Sequence, residues 1–349
     1  MKALQKTAYG EGLIEVREVP VPELKDEDEV LIKIKAAGVC GTDIHIFHNE
    51  FTYYPPVTLG HEFSGDIVKI GKKVKNFRVG DRVVSEPHSE ACMVCDLCRQ
   101  GYWQICPEKR SPGWGRDGAF TDYIRMPAKL LHKIPENVSY EIAALAEPTA
   151  IVTNYVVERV NVRIGDVVTI IGAGPIGILA GMVAKECGAS KVLMTGVTSD
   201  EILRFDVAKN MGIDITINVM KESAKNIIAE LTNGKMSDVV IEASGAEQGI
   251  QSAFELVKVC GKICAVGLTG KDFINVPWDV AQKKMLDVFF NMSSSYTSWD
   301  RALAMMGSTR YDMNKLITHK ESIENWERVF KDLQSGNGIK ALFIAQTDE

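Results

Sequence analysis

Four cysteines, Cys92, Cys95, Cys98 and Cys106, stand in the pattern Cys-x2-Cys-x2-Cys-x7-Cys. Thiolates spaced so tightly around one loop suit a single tetrahedral ion, and structural zinc is the reading they favour. With sulfur at all four corners no position is left for water or substrate, so such a site holds a lobe together and does no chemistry. Two disulfides or an iron–sulfur cluster would draw on the same residues. Against both stand the other cysteines, Cys40, Cys187, Cys260 and Cys264, scattered through apolar or glycine-rich segments. The start Met1-Lys-Ala-Leu does not read as a signal segment, and the chain reads as cytoplasmic and reduced.

Reacting groups must then lie elsewhere. Cys40-Gly-Thr42-Asp43-Ile-His45 and Gly60-His61-Glu62 offer thiolate, imidazole and carboxylate, and Glu147 in Ala146-Glu147-Pro148 offers one more oxygen. Three protein ligands plus an open corner is what a catalytic zinc needs, because a substrate oxygen can displace water there and be polarised. Singly, each residue has a plainer explanation: a buried cysteine is a small hydrophobe, a buried histidine a satisfied core group. The combination is less plain.

Gly172-Ala-Gly174-Pro175-Ile176-Gly177 follows the apolar run Val167-Val-Thr-Ile-Ile171 and opens an apolar helix. In that setting the glycines permit a tight turn and close approach of backbone to a pyrophosphate, and the helix N-terminus supplies donors to the anion. The alternative is a glycine-rich structural turn. The carboxylate expected about 20 residues on is displaced: the next strand ends Thr195-Gly196-Val197-Thr198-Ser199, with Asp200, Glu201 and Arg204 after it. Either Gly196 makes room for a 2′-phosphate held by Thr198, Ser199 and Arg204, favouring NADP, or Asp200 folds back onto the ribose, favouring NAD.

The elements that must carry these residues are of two kinds. Up to about Lys133 the chain shows short strands and turns, such as Val30 to Lys35, Gly65 to Gly71 and Val79 to Val84, which read as a β-rich barrel-like lobe. Tyr140 to Val160 has helical spacing, after which strands (Val167–Ile171, Val192–Thr195, Asp238–Ile241, Gly261–Val266) alternate with helices, arguing a doubly wound parallel sheet. The closing strand Ile339 to Ile344 lacks a partner there and is expected back in the first lobe. The fold class is therefore α/β, with a β-rich domain over 1–152 and 291–349 and a dinucleotide-binding domain over 153–290. At 349 residues and 46% hydrophobic content the chain can bury a large core. A net charge of −6 with dispersed basic residues gives no footprint for nucleic acid or an anionic membrane. The most apolar stretch, Val167 to Ala184, is broken by five residues, Gly172, Gly174, Pro175, Gly177 and Gly181, and does not read as a membrane span.

The order of these motifs, with Gly80-Asp-Arg-Val83 and Glu147-Pro148 among them, resembles the zinc-dependent medium-chain dehydrogenases, particularly their sorbitol (polyol) and threonine branches, over essentially the whole chain. The resemblance implies a GroES-like catalytic domain and a Rossmann domain with the substrate cleft between them. It implies two zincs: one held by Cys40, His61 and Glu62, with Glu147 a fourth ligand or linked through water, and one held by Cys92, Cys95, Cys98 and Cys106. Thr42 would receive the alcohol proton and His45 pass it toward solvent, Asp43 would orient His61, and Lys340 would sit near that aspartate and the cofactor. The reaction implied is hydride transfer between a secondary alcohol, first a sugar alcohol and second threonine, and NAD or NADP. Phe47, His48, Phe51, Tyr53, Tyr54 and Trp114 are candidate pocket residues or ordinary packing. The region from Phe273 to Phe290 is expected to pair in a homodimer or homotetramer. A cofactor-binding sensor on the same scaffold would lose the zinc ligands, and metal-free quinone reductase relatives would lack both cysteine sets.

Overall fold

The computed structural model describes residues 1–88 and 90–345. The chain forms two compact units: Met1–Glu147, Ser294–Ser308 and the stretch from Ile317, and separately Pro148–Ser293 with Thr309–Leu316. The divisions fall at 147 and 293, where the sequence reading put 152 and 290. Residues 309–316 join the second unit because Thr309 Oγ1 donates to Glu186 (3.0 Å) and Lys315 Nζ to Asn210 Oδ1 (2.6 Å).

The first unit begins with β1 (Lys2–Lys6), β2 (Ile14–Glu18), β3 (Glu29–Gly38), β4 (Val57–Thr58), β5 (Glu62–Ile70), β6 (Arg82–Ser85), β7 (Tyr123–Pro127) and β8 (Leu131–Lys133). The second holds β9 (Val167–Ile171), β10 (Lys191–Gly196), β11 (Ile215–Asn218), β12 (Ser237–Glu242), β13 (Val257–Ala265) and β14 (Asp287–Phe290), and the chain returns with β15 (Ile317–Glu321) and β16 (Lys340–Ile344). β2-β1-β4 make a small sheet, and a larger one runs β15-β16-β3-β5-β6-β8 with β7 also on β3. The closing strand is thus back in the first unit, antiparallel to β3 with Leu342 opposite Gly38. Alternation along β3 turns Val30, Ile32 and Ile34 into a core shared with Leu4, Leu59, Phe120 and Phe330.

The second unit is one six-stranded parallel sheet, β11-β10-β9-β12-β13-β14. Its central strands are continuous apolar runs because helices cover both faces of such a sheet. Val168, Ile170, Leu193, Met194 and Val240 are fully buried, each contributing ~1.5–3 kcal/mol relative to exposure. The helical stretch expected over Tyr140 to Val160 is three pieces, Tyr140–Ala143, Ala146–Thr153 and a wide turn of helix over Asn154–Arg159. No helix among the described residues is long and apolar enough to cross a membrane.

Candidate functional site

Cys40 caps the N-terminus of the helix Gly41–Phe47 with extended backbone (φ −99°, ψ 157°). Asp43, fully buried in the first turn, accepts from the Cys40 amide at 2.9 Å and from the Gly60 amide at 3.2 Å. It therefore ties the thiol-bearing turn to the segment carrying His61. Hydrogen bonding of Asp43 to the His61 ring, expected from the sequence, is not formed: His61 Nδ1 is buried without a partner. Burial pushes the Asp43 carboxyl up against the lowering effect of His61.

Register does the rest. Gly38 of β3 stands opposite Glu62 of β5 and Leu342 of β16, so Glu62 and Lys340 meet over a residue with no side chain. A Cβ on Gly38 would lie 2.3 Å from Glu62 Oε2 and 3.3 Å from Lys340 Cε. Glu62 (1% exposed) and Lys340 (4%) form an ion pair. Glu62 Oε2 nonetheless has no aligned hydrogen bond, so the contact is one of charge. Lys340 thus pairs with Glu62, where the sequence reading had put it near Asp43. Burial lowers the lysine's pKa, but Glu62 and Cys40 outweigh it and leave the ammonium charged.

Ligand atoms of Cys40, His61 and Glu62 lie within 4.8 Å of one another. Burial alone would lower the His61 pKa, yet the Cys40 thiolate, with Asp43 and Glu147, raises it to about 10. Glu147, on the helix Ala146–Thr153, is buried outside that three-atom set. Desolvation lifts its pKa to about 7, helped by Glu62 and opposed by His61. Orphaned polar atoms, a soft thiolate, an imidazole and a carboxylate at this spacing fit a zinc-type ion with a corner left over. Thr42 Oγ1 is 3.7 Å from Cys40 Sγ, and His45, exposed one turn on, meets Glu50 Oε2 at 2.9 Å through Nδ1.

Cys92, Cys95, Cys98 and Cys106 form the second cluster within the same 4.8 Å limit. Sγ of Cys106 and Sγ of Cys92 are 3.6 Å apart, and amides of Cys92, Cys95 and Cys98 donate to sulfurs of Cys106, Cys92 and Cys95 at 3.4, 3.4 and 3.5 Å. All eight cysteines are free, so the disulfide reading fails. Backbone donors at Val94 and Cys95 bring the Cys92 thiol down to about 7, while burial and the neighbouring thiols push Cys98 up to about 12. Four thiols packed and hydrogen-bonded together in this way suit a divalent cation, which binds sulfur as thiolate.

In the second unit Gly172 adopts φ +105° between β9 and the helix Pro175–Glu186, which Gly174 caps and Pro175 starts. A Cβ on Gly177 would lie 2.1 Å from Gly172 O, so that glycine is required for the turn to close on its helix. Ile176 occupies the first turn. At the end of β10, Asp200 folds back: Oδ2 accepts from the Val197 amide (2.8 Å) and Oδ1 from Arg204 (3.0 Å). A Cβ on Gly196 would meet Asp200 Oδ2 at 2.6 Å and Phe205 Cε1 at 2.7 Å. Asp200 and Phe205 thus occupy the space into which a side chain at 196 would point. Thr198 Oγ1 accepts from Asn218, and Ser199 follows it in the same turn of 3-10 helix, Thr198–Glu201.

Sequence reasoning did not single out the buried line of Glu86, His88 and His132, whose partner is Asp300. Glu90 and Arg116 pair at 3.4 Å, and Asp117 Oδ1 accepts from the Thr58 amide at 2.9 Å. Among the aromatic candidates, Phe47 packs on Trp326 and Phe330, Phe51 meets Trp114 edge-on at 5.9 Å, and Tyr54 lies under Arg110. Tyr53 donates to Asn49 and His48 Nδ1 reaches Glu11.

A β-rich unit with two ligand clusters, joined in one chain to a parallel sheet with a glycine turn after its first strand, defines a metal- and nucleotide-dependent oxidoreductase. Residues 26–136 match the alcohol dehydrogenase GroES-like domain and residues 175–308 the zinc-binding dehydrogenase domain. The chain belongs to the zinc-binding dehydrogenases of the alcohol dehydrogenase family. It is 36% identical to a sorbitol dehydrogenase of Halalkalibacterium halodurans over 98% of each chain. It is 35% identical to the L-threonine 3-dehydrogenase of Escherichia coli K12 (98% of this chain, 99% of the other). It is 32% identical to a D-arabitol-phosphate dehydrogenase of Enterococcus avium (100% and 99%). A zinc-binding dehydrogenase of Sinorhizobium meliloti, solved bound to NADP, superposes with a TM-score of 0.91 at 28% identity over 99% of both chains.

Proposed function

We propose that this chain oxidises a secondary alcohol of the polyol class, and reduces the matching ketone, using zinc and a nicotinamide coenzyme. The observation that carries this reading is the buried convergence of Cys40, His61 and Glu62 within 4.8 Å, with His61 Nδ1 left unpartnered. When bound, zinc would polarise the substrate oxygen and lower its pKa, and the coenzyme would take up the hydride. Cys40, His61 and Glu62 would hold the ion, with Glu147 a fourth ligand or joined through water. Lys340 pairs with Glu62 at full burial, and Asp43 fixes the Cys40 and Gly60 amides so that thiol and imidazole keep their spacing.

Thr42 would take the hydroxyl proton, and His45, exposed and paired with Glu50, would deliver it to solvent. A second zinc on Cys92, Cys95, Cys98 and Cys106 would be structural. Gly172, Gly174, Pro175, Ile176 and Gly177 would receive the pyrophosphate at the helix N-terminus, and Thr198, Ser199 and Arg204 would border the adenosine ribose. Asp200 at the end of β10 favours NAD, because a 2′-phosphate would meet its carboxylate while Arg204 is already engaged by it. Relatives named for sorbitol and arabitol phosphate support a polyol. The 35% identity to a threonine dehydrogenase supports a second reading, oxidation of an amino alcohol.

We place the chain in the cytoplasm, working on a small molecule, as a homodimer or homotetramer. β14 has a neighbour on one side only among the described residues, and Trp278, Met285 and Phe290 around it are over 70% exposed. The test of the activity is a panel of polyols and amino alcohols with each coenzyme, together with zinc content. Two zincs per chain and coenzyme reduction by a polyol are expected. Cys40→Ser should lose one zinc and at least about a hundredfold in turnover, and normal turnover with both zincs retained would overturn the assignment.

A further inference from the structure

Lys6 ends β1 and is fully buried, yet no carboxylate among the described residues lies within ion-pair distance of it. Its ammonium donates instead to three backbone carbonyls, Gly10 O, Gly12 O and, at 3.4 Å, Phe47 O. The Tyr53 ring centre stands 5.0 Å from it. Taking an ammonium out of water is costly, and a lysine is fully buried only where its charge has partners. Three acceptors engage all three of its N–H groups, so this lysine is committed to what it holds.

Two of those carbonyls belong to the loop 7–13, and the third closes the helix Gly41–Phe47, which carries Thr42 and His45. Loop and helix end meet again at Gly12, whose amide donates to Phe47 O at 2.7 Å, and at Gly10, whose amide donates to Tyr53 Oη at 2.9 Å. Tyr53 in turn donates to Asn49 Oδ1 at 2.6 Å. A cation beside Phe47 O also offsets the partial negative charge at a helix C-terminus. The loop does not hold this course cheaply: Gly10 and Gly12 take φ +125° and +70°, and Leu13 takes +53°, a conformation that L-residues adopt at a cost. Without the ammonium two loop carbonyls lose their donor, and the loop is free to release Phe47 O.

We infer that Lys6 is a positioning residue for the exit of the substrate proton: its ammonium clamps the loop 7–13 onto the end of the helix Gly41–Phe47 and so fixes His45 against Glu50. This rests on the proposed dehydrogenase activity and on the path from Thr42 through His45, to which it adds a residue from the first strand of the chain. Lys6 acts through His45. Glu50 lies just past the helix end, its amide donating to His45 O at 2.8 Å and its carboxylate meeting His45 Nδ1 at 2.9 Å. Loosening of the last helical turn separates the pair, and the proton leaving Thr42 then loses its ordered acceptor.

The experiment measures kcat and KM at pH 7 and pH 10 with the alcohol of the panel that the wild type oxidises fastest. Wild type, Lys6→Met, Tyr53→Phe, His45→Gln and the double variant Lys6→Met with His45→Gln are compared, with zinc content and Tm recorded for each. Lys6→Met should lower kcat about tenfold at pH 7 with KM and both zincs kept. At pH 10, where hydroxide takes the proton without a relay, the loss should shrink to about twofold. Added to His45→Gln, Lys6→Met should cost less than about twofold, because both act on one path. Tyr53→Phe loosens the same loop with the ammonium in place and should lower kcat in the same pH-dependent way by a smaller factor; it decides the matter if Lys6→Met does not fold. An unchanged kcat, a loss equal at both pH values, or a loss undiminished by His45→Gln makes the lysine structural only and overturns the role. A wild type that oxidises no alcohol overturns the activity and the role together, whereas an active wild type with additive losses overturns the role alone.

Discussion

His88 illustrates what burial does to a single titratable group. Desolvation and the Lys109 charge bring its pKa down to about 3, against an ordinary value near 6.5 when unfolded. A base with a depressed folded pKa contributes stability that is complete above pH ~6.5 and is lost as pH falls toward 3. Between pH 7 and 5 the wild type should therefore lose about 2 kcal/mol from this residue alone, up to 1.4 kcal/mol per pH unit. His88→Gln should shed that component, so urea denaturation at pH 7, 6 and 5 should give a shallower decline; parallel declines would refute the neutral, buried state. Thiol, imidazole and carboxylate at 40, 61 and 62 were legible as a set because three different ligand types recur within a short span. The burial of His88 was not, because it is set by residues from distant parts of the chain.

At the scale of one element, we expect the loop after β10 to set coenzyme choice. The sequence leaves two readings of this loop open, a phosphate beside Gly196 or Asp200 folded back onto the ribose, and the backbone turns so that Asp200 and Phe205 lie where a side chain at 196 would point. The carboxylate arrives late along the chain and still returns to the strand end, because the Val197 amide and Arg204 hold it there. NAD should be used at least about tenfold better than NADP, and Asp200→Ala should reduce that ratio by a further order of magnitude. Steady-state kinetics with both coenzymes would decide it, an unchanged ratio in the variant excluding Asp200. The βαβ elements themselves were plain in the sequence, since fully buried parallel strands are uninterrupted apolar runs and the glycines mark the turn between strand and helix. The break of Tyr140–Val160 into three pieces was not, since helical spacing alone does not fix where one helix ends and the next begins.

For the molecule as a whole, β14 is where we expect a second copy to pair. An edge strand with exposed Val288 and Phe290 is a template for pairing, and Trp278 and Met285 extend the apolar surface around it. We expect two chains to join along this edge. Light scattering should give a dimer or tetramer for the wild type, and Phe290→Lys should shift it to a smaller species; an unaltered mass would move the interface elsewhere.

Composition and motif order were sufficient for the fold class, the two cysteine-centred clusters and the glycine turn, because ligand spacing and hydrophobic period are local properties of a chain. Long-range register lay beyond them. Pairing of β16 with β3 sets Lys340 against Glu62 from opposite ends of the sequence, and Gly38 matters only because both side chains cross it. The line from Asp300 through His132 and Glu86 toward His88 likewise joins residues on separate elements. Such contacts are energetically decided by packing of the whole unit, which no window of sequence contains.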